Sequence, residues 1–353
     1  MRRRPGFHDG CDSVLESVTP GKFIRRSLLR ETVFGPGGNA RHSPWDRHSV
    51  AGTSISGTVV DVSPHIINLE TADGDKQLIL SPRTVAWRGA KVPPARLRAG
   101  DAVIVRRLPG RSIADYIWAQ IGRVTGTIIE ADGRELLVDE GPTRGGRQVV
   151  RIDAGSFRQI QMRFPRLEAG FLIDVIGMRQ QGHLRAFTPA TAQPPYRADH
   201  PPTAPLIGGH LPASASGTAV WHEPGEEPAG MVGLAYPALD PETNCGHADG
   251  GTADPDVVDP HAAGPGCVRL PYLSIGSAVE IRNECSGLSA TLPVTSCGAA
   301  ARLFCDRCVV CDTSPRGRVA DLTISAFVEL GGNLEQGCFN ATLTMAGIIS
   351  EQA

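Results

Sequence analysis

Gly317-Arg318-Val319-Ala320-Asp321-Leu322-Thr323-Ile324-Ser325-Ala326-Phe327-Val328-Glu329-Leu330-Gly331 reads as a strand that turns into a short helix. Apolar residues lead up to Asp321-Leu322, and Thr323 stands where a helix N-cap belongs. The spacing predicts a helix over 324–330, ended by Gly331. Two upstream stretches read as strands with turns. One is Gly217-Thr218-Ala219-Val220-Trp221-His222-Glu223-Pro224-Gly225. The other is Leu270-Pro271-Tyr272-Leu273-Ser274-Ile275-Gly276-Ser277-Ala278-Val279-Glu280-Ile281-Arg282-Asn283, followed by Ala290-Thr291-Leu292-Pro293-Val294-Thr295. From Cys338 to Met345 the pattern alternates as a closing strand.

Upstream of this third domain the chain repeats itself with a period near 70 residues. Ser56-Gly57-Thr58-Val59-Val60 recurs as Thr125-Gly126-Thr127-Ile128-Ile129, and Arg96-Leu97-Arg98-Ala99-Gly100 as Arg166-Leu167-Glu168-Ala169-Gly170. Each copy also holds two more apolar runs, 66–69 with 78–80 and 136–138 with 149–152. Asp73-Gly74 and Asp132-Gly133 are hairpin-turn dipeptides. Five short strands per copy predict two small OB-like barrels, over 51–123 and 124–188. Residues 1–50 read as disordered and 189–216 as a proline-rich linker. The fold class expected is all-β: two OB-like barrels as a spacer or adaptor, then a further β-barrel with one short helix over 217–353.

The three C-terminal motifs together resemble the rare lipoprotein A-like (RlpA-like) double-psi β-barrel, which is shared with bacterial expansins. That pattern opens with G-x-A-S/T-W/Y, continues with L-P-x-G-x-x-V-x-V-x-N and V-x-V-x-D, and closes on G-R-x-x-D-L-S-x-x-A-F-x-x-L-G. The match covers about 130 of 353 residues, with Thr323 standing for the last motif's serine and an insertion between Pro271 and Gly276. The resemblance implies a groove that holds polysaccharide, with Asp321 at the position of the family's essential acid. Trp221, Tyr236, Tyr272 and Ser296 are then the candidate glycan-binding residues, because sugar rings stack on aromatic faces.

The sequence departs from that pattern at three places. Ser296 replaces the second family aspartate, Val220 the small hydroxyl residue, and Cys267-Val268-Arg269 stand where the family's glycosidases carry a histidine. Glycan cleavage uses a carboxylic acid and usually a second carboxylate. Glu223, Glu226, Glu227, Asp306 and Asp312 are the acids that could substitute. His222 is expected in an exposed turn.

Eight of the nine cysteines lie in the third domain: Cys245, Cys267, Cys285, Cys297, Cys305, Cys308, Cys311 and Cys338. An even set this dense predicts disulfides and an oxidising compartment. The alternative is a metal site of Cys297, Cys305, Cys308 and Cys311, whose spacing suits thiolate ligation of zinc. Arg25-Arg26-Ser27-Leu28-Leu29-Arg30 resembles the core of a twin-arginine export signal without its apolar stretch. A net charge of −2 with balanced signs gives no reason to expect nucleic acid, and no run is long and apolar enough to span a bilayer. The function expected is an exported, cell-wall-associated protein that binds or loosens polysaccharide, peptidoglycan first, without catalysis and without a cofactor. The alternatives are a lytic transglycosylase or glycanase using Asp321, and an intracellular zinc-binding module.

Overall fold

The computed structural model describes residues 54–141, 146–202, 214–223, 234–236, 277–297, 303–310 and 317–345. The chain is all-β, with three closed rings of strands. The first ring is built from β1 (Ser54–Val62), β2 (Ile66–Thr71), β3 (Gly74–Trp87), β5 (Ala102–Arg107) and β6 (Ile113–Ala119), with a short β4 (Lys91–Val92) at its rim. Its order is β2-β1-β5-β6-β3, closed by β2 on β3; only the β3–β6 pair is parallel. The second ring repeats that order with β7 (Ile121–Asp132), β8 (Glu135–Asp139), β9 (Arg147–Ile152), β10 (Leu172–Gln180) and β11 (His183–Pro189). Again the third and fifth strands run parallel. Both rings therefore have the strand order of an OB-like barrel.

The repeat has a physical basis at one position. Gly57 and Gly126 sit in the first strand of each ring, and a Cβ there would run into the backbone carbonyls of Glu70 and Asp139. First and second strands cross too closely for any side chain, so each copy has glycine. The two Asp-Gly turns are not equivalent: Asp73-Gly74 joins the second strand to the third, whereas Asp132-Gly133 joins the first to the second. The sequence reading also missed α1 (Phe157–Arg163), which follows β9 in the second ring and buries Ile160. Seven residues with one buried apolar position give almost no periodic signal.

The third ring comprises β13 (Ser214–Trp221), β14 (Leu234–Tyr236), β15 (Ala278–Asn283), β16 (Ser289–Cys297), β18 (Arg318–Leu322) and β19 (Cys338–Met345). Its order is β13-β18-β14-β16-β15-β19. Exchanging its first three strands with its last three leaves this ring unchanged, and turns the parallel pair β13–β18 into the parallel pair β14–β16. That is the interlocked order of a double-psi barrel. Gly217 and Gly317 meet where β13 and β18 enter side by side: Thr218 N–H donates to the Gly317 carbonyl at 2.9 Å, and a Cβ on Gly217 would collide with that carbonyl. After β18, Thr323 caps α2 (Ile324–Glu329) by accepting from Ala326 N–H, and Gly331 ends it with φ +82°. The helix buries Ala326, Phe327 and Val328, with Phe327 stacked on Phe339 of β19 at 4.8 Å.

The rings do not stand apart as a spacer and a head. Trp87, Tyr116 and Trp118 of the first, Ile121 and Ile176 of the second, and Trp221, Phe327 and Leu334 of the third belong to one buried apolar cluster. Tyr116 Oη and Trp118 Nε1 both donate to Glu335, across the seam between first and third rings. The stretch after β11 is likewise packed: β12 (Thr191–Ala192) pairs antiparallel with β17 (Arg307–Cys308), and Ala190 and Thr191 are buried. No helix among the described residues is long and apolar enough to cross a membrane.

Candidate functional site

Asp321 lies near the end of β18, where four strands of the third ring are in register. It pairs with Val220 of β13 on one side and Ala235 of β14 on the other, and Ala235 pairs in turn with Ser296 of β16. Asp321 and Ser296 thus fall in one row across the barrel wall. The Asp321 carboxylate is fully buried, and its Oδ1 lies 3.5 Å from Nδ1 of His222. His222 is itself buried, its N–H donating to the Leu322 carbonyl at 3.0 Å. The exposed turn expected for this histidine is therefore corrected: β13 carries it onto β18 instead.

The other candidate residues divide. Trp221, expected at a groove, is a core residue: it is fully buried, its Nε1 donates to the Leu334 carbonyl at 3.1 Å, and the Arg123 guanidinium sits 5.5 Å from its ring centroid. No face is left on which a sugar could stack. Tyr236 ends β14 opposite Cys297, one residue beyond the Asp321 row. Tyr272 lies outside the described residues, as do Glu226, Glu227 and Asp312.

The described substitute acids are engaged elsewhere. Glu223 takes Arg179 at 2.5 Å and the Arg123 N–H at 2.8 Å, which fastens the residue after His222 to the second ring. Asp306 takes Arg318 at 2.5 Å, fully buried. Arg318 in turn donates to Asp174 of β10 at 2.6 Å, and Asp174 also accepts from Arg123 and Thr125. Burial alone would raise the Asp174 carboxyl, but Arg123 and Arg318 outweigh it and hold the group down at about 2. Two guanidinium groups and two carboxylates thus balance inside a region that excludes water. This network was not anticipated from the sequence. Its signal was present, since Arg123 and Asp174 interrupt apolar strand runs, Ile121–Val124 and Leu172–Ile176, where a charge has to be paired.

Among the cysteines, Cys285 and Cys305 are disulfide-bonded. A bridged Cys305 has no thiolate to give, so the four-thiolate zinc site of Cys297, Cys305, Cys308 and Cys311 is corrected. Cys308 and Cys338 are buried thiols and not a bridge in this structure, which departs from the expectation that all eight pair. Cys245, Cys267 and Cys311 lie outside the described residues, and of Cys297 only the backbone is described.

No protein-family model matches the chain, and no curated protein matches it.

Proposed function

We propose that the chain is an exported, cell-wall-associated protein whose third barrel binds polysaccharide, peptidoglycan in the first instance, without cleaving it. The observation that carries this reading is the make-up of the Asp321 row. Asp321 is the one carboxylate in the run Val220–Asp321–Ala235–Ser296, and it is buried beside His222. Glu223 and Asp306, the described acids among those the sequence offered as partners, are held by Arg179 and Arg318. Cleavage with a second carboxylate has no such group in this row, whereas binding needs none. The three ordered motifs support polysaccharide as the ligand class, and the bridged Cys285 and Cys305 support an oxidising compartment.

A second reading is favoured by one contact. His222 Nδ1 at 3.5 Å from Asp321 gives that carboxyl a proton-exchanging neighbour, which a glycan-cleaving enzyme could use in place of the missing acid. Co-sedimentation of the full chain with purified insoluble peptidoglycan, and with cellulose and chitin in parallel, tests the binding claim. Retention by peptidoglycan is expected; a chain left in the supernatant with all three would overturn it.

A further inference from the structure

Cys308 and Cys338 come from segments thirty positions apart in sequence and meet in the third barrel. Cys308 ends β17, which pairs with β12 on the path out of the second ring; Cys338 opens β19 opposite Val220 of β13. The two thiols pack together, and Val309 N–H donates to Cys338 Sγ at 3.3 Å. With Val220 they form a small buried cluster of their own. Among the described residues no group of metal-ligating side chains gathers here, and the neighbouring charge is Arg123, which donates to the Gly337 carbonyl at 2.8 Å.

We propose that Cys308 and Cys338 are partners in a disulfide that forms as the third barrel closes. The step is dithiol–disulfide exchange with an oxidised thiol-disulfide oxidoreductase. One cysteine thiolate attacks the oxidant's disulfide to give a mixed disulfide, and the other displaces the oxidant's sulfur. The chain loses two hydrogens and gains one S–S bond, and the oxidant leaves as a dithiol. Burial, and then the adjacent Cys308, raises the Cys338 thiol well above its ordinary value, so the folded core resists oxidation from solution and the exchange belongs to folding. The bridge ties β17 to β19. Because β17 pairs with β12, it also fixes the chain that leaves the second ring to the barrel that follows. This inference is independent of the polysaccharide reading.

The test is oxidative refolding of the full chain with oxidised and reduced glutathione as the exchange couple, then alkylation, digestion and peptide mass mapping. A peptide pair joining Cys308 to Cys338, lighter by the two lost hydrogens, is expected. The joint Cys308→Ser, Cys338→Ser variant supplies a second readout: reductant should lower the melting temperature of wild type by more than that of the variant. Should the variant not fold, the wild-type map decides alone. The proposal is overturned if both cysteines are alkylated while Cys285 and Cys305 stay bridged, or if either is joined to a different cysteine.

Discussion

Arg318, in the strand that carries Asp321, donates to Asp174 of the second barrel at 2.6 Å with both side chains fully out of solvent. The same strand is thereby part of the third ring and of the seam with the second. Thr191 Oγ1 adds a contact to Asp174 from the segment joining the two rings, and Arg318 also lies over the Phe304 ring at 4.0 Å. The third barrel is therefore built against the second, and the candidate site rests on both.

Removing Asp174 should be costly out of proportion to its size. Asp174→Ala leaves two buried guanidinium groups, Arg123 and Arg318, without their shared carboxylate. Breaking a buried pair by removing one partner costs about 3–5 kcal/mol. Urea unfolding of the full chain should show a loss of unfolding free energy of that size. A change within about 0.5 kcal/mol, typical of an ordinary surface substitution, would contradict the network's role.

The same carboxylate sets a pH dependence. Its folded-state value of about 2 is below that of an exposed aspartate, so its contribution is fully present at neutral pH and is lost as pH falls from about 4 towards 2. The shift corresponds to on the order of 2 kcal/mol. Stability measured by chemical unfolding should drop across that window, and the drop should be smaller in Asp174→Asn, which has no carboxylate to protonate.

Glu335 joins first and third rings by accepting from both Tyr116 and Trp118. Glu335→Ala leaves Tyr116 Oη short of an acceptor and Trp118 Nε1 with its 3.3 Å contact to Asn333 alone, and an unsatisfied buried group costs about 1–3 kcal/mol. The variant should show a red-shifted tryptophan emission and faster proteolytic cleavage between residues 54 and 119. Unchanged emission and cleavage would mean that the seam is held by the apolar cluster alone.

Much of the architecture was legible in the sequence. The SGTVV/TGTII repeat marks the first strand of each small barrel because a close strand crossing demands glycine, and Thr323 with Gly331 bounds the helix by ordinary capping chemistry. What was not legible is how the rings meet. Trp221 occupies a motif position and reads as a binding residue, yet its burial depends on Leu334 and on Arg123, nearly a hundred residues upstream. His222 follows a strand and precedes Glu223-Pro224, which reads as a turn; only pairing with β18 carries it to Asp321. Periodicity reports which face of a strand is apolar and says nothing about which distant charge lies against it.

The most direct measurement pairs retention with product release. Wild type and Asp321→Asn, each in the full chain, are incubated with insoluble peptidoglycan; the pelleted fraction is quantified and the supernatant searched for soluble glycan fragments by mass spectrometry. The account predicts that both proteins pellet to a similar extent and that neither releases fragments. Fragments released by wild type and absent with Asp321→Asn would contradict it and make the third barrel an enzyme.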